Sequence, residues 1–264
     1  MDEQADSLPP WVGNPSLAAA YLEQIQTLAA EMAAGAGHEI NNPLATILGH
    51  VQLLLRGETD PDRRKSLEAI GGQAVRIRDM IGDLMLFARP PEPTLAVCDV
   101  AAVVREVVSR LQQEAGTRRI RIETTCEAVS AITTDAAQLR VVVACLIRNA
   151  FEAMSDGGTI SVRVTAGRYP GSGGDADTTA TGVTIRVDDT GKGFGPDELR
   201  MAFDPFFSGR QAGRGLGFGL PKCQAILSQL GGAIVVENQP DLGARATVWL
   251  PETPSDSRLT VWPF

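Results

Sequence analysis

The chain has 264 residues, enough for two domains or one large one. Hydrophobic residues make up 44% and charged residues 21%, and the net charge is -8, an acidic balance that excludes a general nucleic-acid binder and a polybasic membrane-surface contact. The longest apolar runs, such as Val141–Leu146, are too short to span a bilayer, so no membrane insertion is expected. The acidic start Met1-Asp2-Glu3 lacks the layout of a signal peptide. Cys98, Cys126, Cys145 and Cys223 show no CxxC pairing, which predicts reduced, mostly buried thiols and a cytoplasmic location.

Residues 1–16, with Pro9, Pro10, Gly13 and Pro15, read as an irregular leader. A long helix is predicted from about Ser16 to Arg56, its apolar stripe running Leu22, Ile25, Ala29, Met32, Ala36, Ile40, Leu44, Ile47, Val51, Leu54. His38 lies off this stripe, and Pro43 removes an amide donor one turn later, so a kink is expected just past the histidine. Asp60-Pro61 reads as the cap and first position of a second helix. Its apolar residues Leu67, Ile70, Ala74, Ile77, Ile81, Leu84 and Ala88 form a narrow coiled-coil seam. Two such helices bury too little surface alone, so residues 17–89 are predicted to pair with a second copy as a four-helix bundle, a homodimer. Packing of the seam against the rest of the same chain is the alternative.

Residues 90–98, opening with Pro90, Pro91 and Pro93, are expected to be a stiff linker. Residues 99–252 then mix helices with mainly antiparallel strands, an α/β sandwich with helices on one face of a sheet. The predicted elements are a helix over Val100–Gln112, a strand from Ile120, and an apolar helix over Ala136–Met154 capped by Asp135. Strands follow over Thr159–Val164 and Val183–Asp188, then a helix over Leu220–Leu230 and strands over Ala233–Glu237 and Ala244–Leu250. Gly167–Gly182 reads as a long hairpin loop. Residues 253–264 form a tail in which Val261, Trp262 and Phe264 could dock.

Four stretches carry candidate chemistry. His38-Glu39-Ile40-Asn41-Asn42-Pro43-Leu44 sets a histidine beside a carboxylate and two amides. Asn149 falls close to a buried helix face, where an amide needs a partner. Asp189-Thr-Gly191-Lys-Gly193-Phe194-Gly195 ends a strand, where an acceptor carboxylate and glycines suit a donor group on a flat ligand. Gly213-Arg214-Gly215-Leu216-Gly217-Phe-Gly219 precedes a helix, where free backbone amides suit phosphate. Taken singly, each has a plain reading: a surface histidine, a satisfied helical amide, a turn, a flexible stretch. Neither glycine run has the spacing of a P-loop or a dinucleotide fingerprint.

Taken in order, the stretches resemble the bacterial sensor histidine kinases of two-component signalling, nitrogen-regulation kinases among them. His38–Leu44 resembles the H-box, Asn149-Ala150 the N-box, Asp189–Gly193 the G1 box, Phe203-Asp-Pro-Phe-Phe207 the F-box and Gly213–Gly219 the G2 box. The resemblance implies a dimerisation and phosphoacceptor domain followed by a Bergerat-type ATP-binding domain, with ATP as substrate and Mg²⁺ as its metal. It implies His38 as nucleophile, Glu39 as its hydrogen-bonding orienter and Asn42 as a water-positioning residue for a reverse, phosphatase reaction. Asn149 would hold the metal and Asp189 would accept from the adenine amino group. Gly191, Gly193, Phe194, Gly213, Arg214, Gly215, Leu216 and Gly217 would complete the nucleotide site. Phe194 to about Arg214 would form a lid anchored by Phe203 and Phe206.

The implied partners are a response-regulator receiver domain and, since residues 1–16 are too short for a sensor, a separate sensor protein. The sequence departs from the family at Cys145, where an asparagine is usual one turn before Asn149, and at Pro221 after the G2 box. A thiol is a poor magnesium ligand, so Asn149 and water would carry that role. Rival readings are a phosphatase-dominant or non-catalytic regulator-binding partner and a gyrase- or chaperone-like ATPase of the same nucleotide fold.

Overall fold

The computed structural model describes residues 15–170, 179–207, 217–240 and 242–254, of which residues 15–23, 26, 28, 32–38, 168–170, 179 and 180 are described by backbone alone. The expected leader before residue 15 and the docking residues Val261, Trp262 and Phe264 lie outside the described residues. The chain divides into two compact units that part between Pro90 and Pro91.

The first unit is a helical hairpin of α1 (Pro15–Gly57) and α2 (Pro61–Ala88). α1 runs unbroken as helix through Pro43. Asp60 caps α2, its carboxylate accepting from the backbone amides of Asp62 and Arg63 at 2.9 and 3.0 Å, and Pro61 opens the first turn, where no amide donor is needed. Leu44, Val51 and Ala74 are buried, and a Cβ added at Gly71 would stand 3.1 Å from Val51 Cγ1, so the two helices meet closely there. A second apolar set, Ile47, Leu53, Leu54, Ile70 and Ile77, stays exposed.

The second unit is a layered α/β fold. β1 (Ala96–Cys98) pairs antiparallel with β3 (Ile132–Thr134), so part of the stretch expected as linker is a strand. Thr94 N–H donates to Asp135 and the Gln138 amide donates to Pro91 O, which fastens residues 91–94 to the start of α4 (Ala136–Ala153). α3 (Val100–Thr117) is capped by Asp99 and α4 by Asp135. The main sheet has five strands in the order β2-β4-β5-β7-β6. These are β2 (Ile120–Cys126), β4 (Gly158–Pro170), β5 (Thr179–Asp189), β6 (Ala233–Asn238) and β7 (Ala244–Pro251). Only β2 and β4 run parallel among these pairs.

β4 and β5 pair from Ile160↔Asp189 out to Pro170↔Thr179, so the ladder takes up half of the expected Gly167–Gly182 loop. Alternation decides the inner face: Ile160, Val162 and Val164 on β4 and Val183, Ile185 and Val187 on β5 are buried, while Arg163 and Arg186 point the other way. Helices α3, α4 and α6 (Gly219–Gln229) share one core with that face. The sequence reading also lacked α5 (Pro196–Arg200), a single turn inside the expected lid.

Candidate functional site

Asp189 is the last residue of β5, and its side chain is buried. Its Oδ1 accepts from Gly191 N at 2.8 Å and from Ala244 N at 3.2 Å, leaving Oδ2 without a donor among the described residues. Burial pushes the Asp189 carboxyl above the usual carboxylate range. The two backbone bonds pull it down, and the neighbouring Asp188 charge adds a further push upward. Asp188 is itself paired with Arg245 on β7, whose Nε donates at 2.6 Å. The same guanidinium reaches Gln239 Oε1 at 2.9 Å and Glu237 at 3.6 Å.

The loop after Asp189 is strapped to its surroundings by backbone bonds. Thr190 N donates to Thr159 O at 3.2 Å, and Lys192 N donates to Ala153 O, the C-terminal end of α4, at 3.3 Å. One turn earlier on α4 stands Asn149, half buried. A Cβ at Gly219, the first residue of α6, would lie 3.3 and 3.5 Å from its carboxamide atoms and 3.5 Å from Cys145 Sγ. Cys145 donates to Gly219 O at 3.3 Å, so the thiol ties α4 to α6. α4 therefore brings together Asn149, the Asp189–Gly193 loop and the segment that follows Gly217. Gly213, Arg214, Gly215 and Leu216 lie outside the described residues.

Beyond Gly193, the Phe194 backbone is gripped by Asn238, and Gly195 N donates to Glu198 Oε2 at 2.9 Å, which opens α5. Phe203 is buried in the core, but Phe206 is exposed, with its ring edge-on to Phe218 at 4.9 Å. Of the two phenylalanines expected to anchor the lid, only Phe203 is held in the core. Sequence reasoning missed Asn238, Gly243 and Arg245, which sat at the edges of two predicted strands. The available signal was the turn chemistry of Asn238-Gln-Pro-Asp-Leu-Gly243 between them.

His38, Glu39 and Asn42 lie on α1 of the hairpin unit. Glu39 and Asn42 are exposed, and Asn42 O accepts from Thr46 Oγ1 at 3.1 Å. For His38 the structure describes the backbone alone. Among the described residues no helix is long and apolar enough to cross a membrane.

Residues 28–93 match the family model for the "His Kinase A (phospho-acceptor) domain", and residues 134–254 match that for the "Histidine kinase-, DNA gyrase B-, and HSP90-like ATPase". The chain belongs to the two-component sensor histidine kinases. It is 32% identical over 222 residues to the sensor histidine kinase ZraS of Salmonella typhimurium, spanning 83% of this chain and 45% of that one. It is 29% identical over 227 residues to sporulation kinase C of Bacillus subtilis, spanning 85% of this chain and 49% of that one. This kinase chain thus spans just under half the length of these relatives. Its fold is shared with ShkA, solved in complex with AMPPNP (TM-score 0.69, 24% identity, 87% of this chain and 47% of that one). The histidine kinase AdeS of Acinetobacter baumannii has the same fold (TM-score 0.54, 20% identity, 81% of this chain and 98% of that one). The second unit is accordingly an ATPase-type nucleotide-binding domain, and the first is a phosphoacceptor-type helical hairpin.

Proposed function

We propose that this chain uses ATP to phosphorylate its own His38 and then passes the phosphoryl group to an aspartate of a response-regulator receiver domain. In the first step the N–P bond to the imidazole forms as the bond between the γ-phosphorus and the β-phosphate oxygen breaks, and ADP leaves. In the second step the regulator carboxylate takes the phosphoryl group and His38 returns to neutral imidazole. Glu39 hydrogen-bonds the non-attacking ring nitrogen, which sets the tautomer and takes up the positive charge that grows there. Asp189 receives the adenine amino group on Oδ2, the oxygen its backbone donors leave open. Phe194 borders that pocket, and the glycines from Gly213 to Gly217, with Arg214 and Leu216, present backbone amides to the phosphates.

Asn149 is proposed to hold Mg²⁺. A hard carboxamide oxygen beside the N-terminal turn of α6 suits a cation that takes one or two protein oxygens plus phosphates and water. When bound, the metal offsets phosphate charge. Cys145 is committed to Gly219 O and leaves that role to Asn149. The proposed setting is the cytoplasm, where ATP is available, with the hairpin forming a homodimer through Ile47, Leu53, Leu54, Ile70 and Ile77. A separate sensor protein is a further proposed partner. Asn42, exposed one turn past His38, supports a second activity in which its amide positions water for hydrolysis of the regulator's acyl phosphate.

The observation that carries this reading is the order of parts in one chain: a His-Glu pair on a helical hairpin, then a buried strand-end carboxylate beside the Asn149 helix. Radiolabelled ATP with Mg²⁺ or Mn²⁺ tests it on wild type and His38→Gln. Acid-labile, alkali-stable label on wild type alone is expected. Label on both proteins removes His38 from its role, and label on neither, with ADP bound by both, overturns the kinase reading.

A further inference from the structure

Both polar groups of the Phe194 backbone are held by one side chain 44 positions away. Asn238 Oδ1 accepts from Phe194 N at 2.7 Å, and Asn238 Nδ2 donates to Phe194 O at 2.8 Å. Asn238 ends β6 and is the register partner of Ala244, which opens β7. Ala244 N–H is itself one of the two donors on Asp189 Oδ1. A single cross-strand pair therefore staples the loop at both ends, Ala244 at Asp189 and Asn238 at Phe194. Between them Gly193 has φ 67°, and a Cβ there would stand 2.8 Å from Asn238 Oδ1, so the grip requires a glycine as its neighbour. The turn joining the two strands is closed by Gln239 N to Gly243 O at 3.0 Å and braced by Arg245 against Gln239.

We infer that Asn238 is a positioning residue for nucleotide binding: it holds the exit of the Asp189 loop in the shape the adenine site needs before ligand arrives. This inference rests on the proposal that Asp189 receives adenine. Both side chain and backbone lie at the surface, where water can replace either bond, so the domain folds without the clamp. The nucleotide then has to order Gly193–Gly195 itself. Preorganisation of this kind changes affinity and leaves the bound state unaltered.

Calorimetric titration with ADP, thermal melting of the free protein and the autophosphorylation rate against ATP concentration test this on wild type, Asn238→Ala and Asn238→Gln. In Asn238→Ala the Kd for ADP and the KM for ATP rise about tenfold, with the saturated rate and the melting temperature of the free protein unchanged. Asn238→Gln keeps the carboxamide and recovers part of the affinity. Wild-type affinity in Asn238→Ala overturns the inference alone. A lower saturated rate together with a lower melting temperature, at unchanged affinity of the folded fraction, also overturns it and makes Asn238 a purely structural residue. Failure of wild type to bind ADP overturns the nucleotide site itself and this inference with it.

Discussion

Asp189 occupies the space that a side chain on Gly243 would need. A Cβ built at Gly243 falls inside van der Waals contact of Asp189 Oδ1 and 2.6 Å from Asp189 O, so the β6–β7 turn can close over the carboxylate only with glycine there. The same turn supplies the Ala244 amide to that carboxylate.

Gly243→Ala is therefore expected to displace the Asp189 loop, abolish ADP binding and destabilise the second unit by about 1–3 kcal/mol. Gly72→Ala is the contrasting substitution: it lies within α2 with nothing within 4 Å of the added Cβ. There the change is expected to stabilise the hairpin by roughly 0.5–1 kcal/mol. Thermal unfolding and ADP calorimetry on both variants check the pair, and a Gly243→Ala protein that binds ADP normally would show that the closure is dispensable.

Asp189→Asn separates stability from binding. Because burial raises the folded-state pKa of Asp189, the folded chain holds more proton than the unfolded one between the two values. Stability from this group is thus highest at low pH and is lost as pH rises through the folded pKa, which makes the ionised carboxylate a cost at neutral pH. Asn keeps the acceptor for Gly191 and Ala244 but would turn an N–H₂ toward the donor that the proposal assigns to adenine. The free variant is expected to melt no lower than wild type, while ADP affinity falls about 100-fold or more, roughly 2.7 kcal/mol.

The same carboxyl sets a pH dependence. In wild type, ADP binding is expected to weaken on acidification at a higher pH than an ordinary aspartate would give, since protonation of Asp189 removes the acceptor. Titrations of wild type beside Asp189→Asn, carried down in pH as far as the protein stays folded, check this. A profile shared by the two proteins would remove Asp189 from the adenine contact.

The exposed apolar set on the hairpin carries the dimer prediction. Ile70 and Ile77 are 51% and 44% exposed in the single chain, on the same face of α2. Replacing both with lysine is expected to move the protein from dimer to monomer in sedimentation at micromolar concentration, with ADP affinity unchanged because the nucleotide site lies in the other unit. A variant that stays dimeric would place the interface elsewhere.

Much of this was legible in the residues. Asp60 and Asp135 are short-range caps, and their helices begin where the chain places them. The alternation of Ile160, Val162 and Val164 marks a strand because period and burial coincide. β1 and β3 were not legible: three residues carry too little period, and each is a strand only because it pairs with the other. The β4–β5 hairpin hid its length for a related reason. Its outer rungs, from Gly167↔Gly182 to Pro170↔Thr179, are composed of residues that look like a loop until a partner strand satisfies their backbone.

By itself, then, the amino-acid order determined the two-unit plan, the helix starts other than that of α5, the inner face of the sheet and the motif series that names the family, because each is written in neighbours a few residues apart. Only the tertiary structure decided what surrounds Asp189. The Arg245 partner of Asp188, the Ala244 amide, the closed turn at Gly243 and the Asn238 grip on Phe194 join residues 44 to 57 positions apart. Such contacts follow from strand order and register, which hydrophobic period does not specify.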